Sequence, residues 1–220
     1  MDEQTAREAV VETARMMLAT GLAGAFGHVS IRLDDGFAIT STLPFSSAGP
    51  NDVVVVPDAT SPPSGGGGAP LETPMHAALY LARPDIGAIC RGHPPAVVAW
   101  GVGTEDLPLL HGLGALAGHH VRVSPEVDLV STVAQGAAVA GILRDEHAVI
   151  LRANGCLAVG ANALEALTRL YFLEERARVA VEVPPGMEPV EWGARFRHTG
   201  VEMRRAMAWM QETYGHGGFP

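Results

Sequence analysis

No lysine occurs in this chain of 220 residues; all 15 basic side chains are arginines. A mechanism through a lysine Schiff base is thereby excluded. Cysteine is almost as scarce. Cys90 and Cys156 are too few for a disulfide framework and read as small core residues. No apolar run approaches the roughly 20 residues that cross a bilayer. The opening MDEQTAREAV is acidic and helical, unlike a signal peptide. Positive charge is short too: the net charge is −9, and no run of arginines offers the basic face that a phosphate backbone requires. These absences point to a cytoplasmic protein with a small-molecule partner, without nucleic acid or membrane. What remains is 47% hydrophobic and 18% charged, which suits one globular domain over residues 1–220.

Apolar residues at Ala6, Val10, Ala14 and Met17 predict a helix over 3–20, closed by Gly21. Val29–Leu33 and Phe37–Thr40 read as a hairpin around Asp34-Asp35-Gly36, followed by a short strand at Val53–Val56. Residues 59–70, ATSPPSGGGGAP, predict a mobile surface loop. Thr73 then caps a helix with Pro74 in its first turn. Strands are expected at Ile86–Arg91, Val121–Val123, Ala148–Arg152 and Leu157–Val159. Helices are expected over 96–100, 129–143, 162–181 and 189–213, the third opened by Asn162 and Glu165 as a capping box. A tail follows over 214–220. Strands mixed with helices imply a mixed sheet covered on both faces.

The nine histidines carry most of the chemical interest. His93 ends an expected strand and precedes a helix start, a position where ligands gather. Arg91, two residues earlier, projects to the same strand face and offers a fork to a carboxylate. Position alone leaves two readings: a site for an anionic substrate, or a helix-capping histidine beside a structural ion pair. Glu72 stands either as a helix-dipole acid or as a general acid/base near His93. His76 and Tyr80, one turn apart, share a helix face. Asn154 reads as a turn residue.

Several blocks resemble the class II aldolase/adducin family. Gly24-x-x-Gly27-His28-Val29-Ser30-x-Arg32 is similar to its early glycine-rich turn, and Glu72-x-x-x-His76-x-x-x-Tyr80-x-x-Arg83-Pro84-Asp85 to the segment carrying its acidic residue. Arg91-Gly92-His93-Pro94 falls at its H-x-H-P, and residues 151–160 at its L-x-x-H-G block. Residues 163–177 resemble the helix that follows. The resemblance implies a three-layer α/β/α domain with a mixed, largely antiparallel sheet, assembled as a homotetramer. It also implies three histidines holding zinc, manganese or iron, which map here to Arg91, His93 and Asn154. Only His93 survives, so the usual three-histidine site is not intact and metal-free chemistry is favoured, with His93 the residual metal ligand.

His28 and the Arg-Pro-Asp…His-Pro-Pro wording resemble the hydroxy-aromatic carboxylate decarboxylase branch. The implied function is a lyase that decarboxylates or splits a small carboxylated or hydroxylated metabolite through an enolate- or carbanion-like intermediate. Arg91 is assigned to anchoring and charge stabilisation, His93 and His28 to proton transfer, and Glu72 to acid/base work. Gly27, Ser30, Asn154 and Tyr214 are assigned to substrate binding, the last from a tail that reaches a neighbouring subunit. The alternatives are a metal-free isomerase or cyclase in a biosynthetic pathway, and a non-catalytic adducin-like scaffold.

Overall fold

Short runs of β-branched and apolar residues give seven strands: β1 (His28–Arg32), β2 (Phe37–Ile39), β3 (Val54–Val56), β4 (Ala88–Gly92), β5 (Arg122–Ser124), β6 (Ala148–Leu151) and β7 (Cys156–Gly160). They lie in the order β3-β2-β1-β4-β7-β6-β5. Neighbours are antiparallel except β5 and β6, which are parallel. The computed structural model describes residues 1–63, 65–184, 186, 193 and 195–215. Among these, the helices are α1 (Glu3–Ala19), α2 (Thr73–Ala82), α3 (Pro95–Trp100), α4 (Val133–Leu143), α5 (Ala163–Glu182) and α6 (Thr199–Tyr214).

Strand side chains alternate between two cores, as the period of two requires. Val29, Ile31, Cys90, Cys156 and Ala158 face one core with α1, α3 and α5. Phe37, Ile39, Ile89, Leu157 and Val159 face the other, with α2 and α4. The result is the expected three-layer α/β/α domain with a mixed, largely antiparallel sheet. Both cysteines are free and fully buried, and burial pushes their thiols up. α3 has no side-chain cap of its own. Glu174 of α5 reaches across to accept from Ala96 N at 3.1 Å and Val97 N at 3.1 Å, which fixes the chain just after His93.

Several expected boundaries shift. Glu72, not Thr73, occupies the N-cap of α2, because the Thr73 hydroxyl turns back to donate to Pro70 O at 2.6 Å. α4 starts at Val133 rather than 129: Thr132 accepts from Gln135 N and Gln135 returns the bond, so the cap sits inside the apolar run. Asn162 caps α5 as expected, but Glu165 reaches Ala161 N instead of the cap residue's own N–H. The last helix begins at Thr199 after a 3-10 turn at Arg195–His198; residues 189–192 and 194 of the expected helix lie outside the described residues. Another 3-10 turn, Gly112–Ala117, lies where only loop was expected. Segment 59–70 has neither helix nor strand among its described residues, though Gly68 O accepts from Thr42 N at 2.9 Å.

Candidate active site

The alternation that sorts the core also builds the site. Val29 and Cys90 point into one core, so His28, Ser30 and Arg91 point to the α2 side of the sheet. His28 and Arg91 are direct partners in the β1–β4 register. From above, α2 lowers Glu72, His76 and Tyr80, spaced four residues apart and therefore on one helix face.

Arg91 is the largest fully buried side chain, at 0% exposure. Its Nη1 donates to Gly92 O at 2.9 Å and lies 3.0 Å from His93 Nε2, while Nη2 donates to Glu72 Oε1 at 3.3 Å. Arg91 thus lies beneath the site rather than at its surface, and direct substrate anchoring by this residue is corrected. Its charge acts on Glu72 and His93 from behind. Gly155 makes room for it. That residue has φ +78°, and an added Cβ would collide with Gly92 O and stand 2.9 Å from Arg91 Nη1. Gly155→Ala is expected to destabilise the fold by about 1–3 kcal/mol, measured by chemical denaturation; an unchanged midpoint would remove the packing argument.

Three imidazoles surround this cation. His28 Nδ1 stands 3.8 Å from Glu72 Oε2, and the His28 and His76 ring centroids are 5.7 Å apart. Burial first, then the neighbouring His76 and Arg91, holds His28 well below its ordinary pKa, so its contact with Glu72 is not an ion pair at neutral pH. Burial and Arg91 lower His76 to about 3. Burial and Arg91 lower His93 to about 4, partly opposed by hydrogen bonds to the Phe26 backbone and the Asn154 side chain.

These depressed values have a direct consequence for stability. At pH values above the unfolded histidine value, near 6.5, the rings are neutral in both states and impose no penalty. As pH falls below it, the unfolded chain takes up protons that the folded rings refuse, and stability drops until the folded values are reached. Denaturation midpoints are therefore expected to decline between pH 6.5 and 4, by up to about 1.4 kcal/mol per pH unit for each buried ring. A flat profile over this window would show that the rings charge freely.

Beside the cluster opens a cleft of about 280 Å³. Glu72, His28 and Gly27 line it together with Ser41 and Thr42, and Phe26, Leu43, Phe45, Leu71 and Leu129 supply apolar walls. Of the residues singled out in the sequence, Glu72, His28, Arg91, His93 and Asn154 come together, and Gly27 joins them at the cleft. One other does not serve as expected. Ser30 is fully buried, and its hydroxyl is engaged by His76 Nδ1 at 2.7 Å and Tyr80 Oη at 2.8 Å, so it is no substrate ligand. Tyr214 ends α6 with its ring against Trp209, packed against the α1/α5 core. The rest of the expected tail, 216–220, lies outside the described residues. His76 and Tyr80, not assigned to the site from sequence, are brought into it; their shared helix face with Glu72 was the available signal.

Arg91, His93 and Asn154 do not fit a divalent metal. Arginine only donates, so the contact at 3.0 Å uses the lone pair of His93 Nε2, and the neutral ring carries its proton on Nδ1. The electron pair that a metal would take is engaged, and a fixed positive charge sits beside it. Among the described residues no group of three or more His, Cys, Asp or Glu side chains is arranged to hold a metal. The expectation of His93 as a residual metal ligand is corrected accordingly.

Comparison with known proteins agrees with this architecture. The model of the class II aldolase and adducin N-terminal domain matches residues 8–181. A 3,4-dihydroxyphthalate decarboxylase of Arthrobacter keyseri is 30% identical over 200 residues, covering 81% of this chain and 78% of the relative. An L-fuculose phosphate aldolase of Escherichia coli K12 is 26% identical, covering 86% and 89%. Among solved structures, the L-fuculose-1-phosphate aldolase from Thermus thermophilus superposes with a TM-score of 0.72 at 28% identity, over 85% of this chain and 98% of the other.

Proposed function

Because the chain belongs to the class II aldolase and adducin family, we propose that it is a lyase that decarboxylates a small hydroxylated aromatic carboxylate. Relatives named decarboxylase and aldolase set the reaction class, the breaking of a carbon–carbon bond. The observation that carries the finer reading is the composition of the cleft. Seven of its described lining residues are apolar and none is an arginine, which suits a flat, apolar ring better than a sugar phosphate.

In this reading the ring stacks between Phe26 and the leucines, and its anionic group meets the Gly27–His28 turn with the Ser41 and Thr42 hydroxyls. Glu72 and neutral His28 handle protons at the ring carbon that bears the carboxylate. A proton is added there, the bond to the carboxylate breaks, its electron pair returns to the ring and carbon dioxide leaves. Arg91 contributes through space: a fixed cation in a dry setting lowers the energy of negative charge that develops nearby.

The test is turnover against a panel of hydroxybenzoates, dihydroxybenzoates and dihydroxyphthalates, followed by carbon dioxide release, with L-fuculose 1-phosphate cleavage as comparison. Release from an aromatic acid, undiminished by a metal chelator, is the expected result. Cleavage of the sugar phosphate alone would overturn the substrate class, and loss of activity on chelation would overturn the guanidinium's role.

A further inference from the structure

One buried group in the cluster has no part in the chemistry above. His76 is fully buried, and its Nε2 has no hydrogen-bond partner among the described residues, whereas its Nδ1 is held by Ser30. Buried polar atoms are ordinarily paired, so an orphan beside a cleft calls for a physical account.

The hydrogen-bond chain decides where the ring's proton sits. Burial pushes the Tyr80 hydroxyl far above its ordinary pKa, so it keeps its proton. Its ring is clamped by Arg32, whose guanidinium stacks 4.6 Å from the ring centre while donating to the backbone carbonyls of Tyr80, Arg83 and Ile86. The acceptor within reach of the Tyr80 O–H is Ser30 Oγ, at 2.8 Å. A hydroxyl owns one hydrogen. If Ser30 accepts from Tyr80, its own hydrogen goes to His76 Nδ1, which must then carry a lone pair. The reverse direction would leave two orphans, the Tyr80 O–H and a bare Nε2, where the forward direction leaves one.

We infer that His76 is a positioning residue of this site, locked by the Tyr80–Ser30 chain with its proton on Nε2 and its ring packed against His28. Glu72 lies one turn before His76 on the same face of α2, and the His28 ring packs against the His76 ring. The inner wall therefore offers a fixed donor and never a base. It backs the His28 ring and leaves acid/base exchange to the groups that line the cleft. Its role rests on the lyase reading, but its proton position does not.

Long-range proton–nitrogen correlation spectra of 15N-labelled protein at neutral pH test this directly. The His76 signals are assigned by their loss in His76→Gln. The expected pattern is a neutral ring with its proton on Nε2, and Tyr80→Phe or Ser30→Ala is expected to convert it to a mixture of tautomers. A wild-type ring that is charged or protonated on Nδ1 would overturn the proposal, even if both variants failed to fold. So would a pattern identical in wild type and in a folded variant. Turnover on the aromatic panel decides the lyase reading separately, because the tautomer is read without substrate.

Discussion

Replacing Arg91 with alanine is expected to destabilise the fold by about 3–5 kcal/mol, the usual cost of breaking a buried ion pair by removing one partner. For a chain of this length that corresponds to roughly 6–20 °C in melting temperature. The Glu72 carboxylate would stay buried with neutral His28 as its nearest charge-capable neighbour, and Gly92 O and His93 Nε2 would lose their donor. The partner experiment is Arg91→Met with Glu72→Gln. Removing both charges is expected to cost less than the sum of the single changes, because each single change strands a buried charge and the double variant strands none. Additive losses would mean that the two groups do not interact across their 3.3 Å separation.

Glu72→Gln alone is expected to lower turnover by about 10²–10⁴-fold while leaving the protein folded, the range typical of removing a general acid/base. Glutamine keeps an oxygen that accepts from Arg91, so the geometry around the guanidinium survives while proton exchange is lost. The comparison of rate with melting curve is what gives the result meaning. A lost rate with an intact fold identifies Glu72 as the proton carrier. A preserved rate would transfer that role to His28, the other titratable group lining the cleft.

Much of this arrangement is legible in the sequence because it follows from periodicity. Alternation along His28–Arg32 and Ala88–Gly92 puts His28, Ser30 and Arg91 on one sheet face, and spacing by four puts Glu72, His76 and Tyr80 on one helix face. That the two faces meet follows from tertiary packing, which period does not reveal. Depth is equally hidden. Nothing in Arg91-Gly92-His93 says that the guanidinium lies under the site with both terminal nitrogens already engaged, since this depends on Gly155 arriving from β7's side of the sheet. Ser30 failed as a substrate ligand for the same reason: its partners, His76 and Tyr80, are 46 and 50 residues away in the chain. Helix starts shifted where a local side chain outbid the apolar pattern, as Thr132 and Gln135 do for α4.

The sheet ends in β3 and β5, each only three residues long, while β1 and β4, which carry the cluster, lie inside it. A three-residue margin presents too few free backbone groups to template an incoming strand. Among the described residues, neither border of the sheet therefore favours growth by adding another chain, and association between copies of this protein falls to side-chain faces rather than to strand pairing along this sheet.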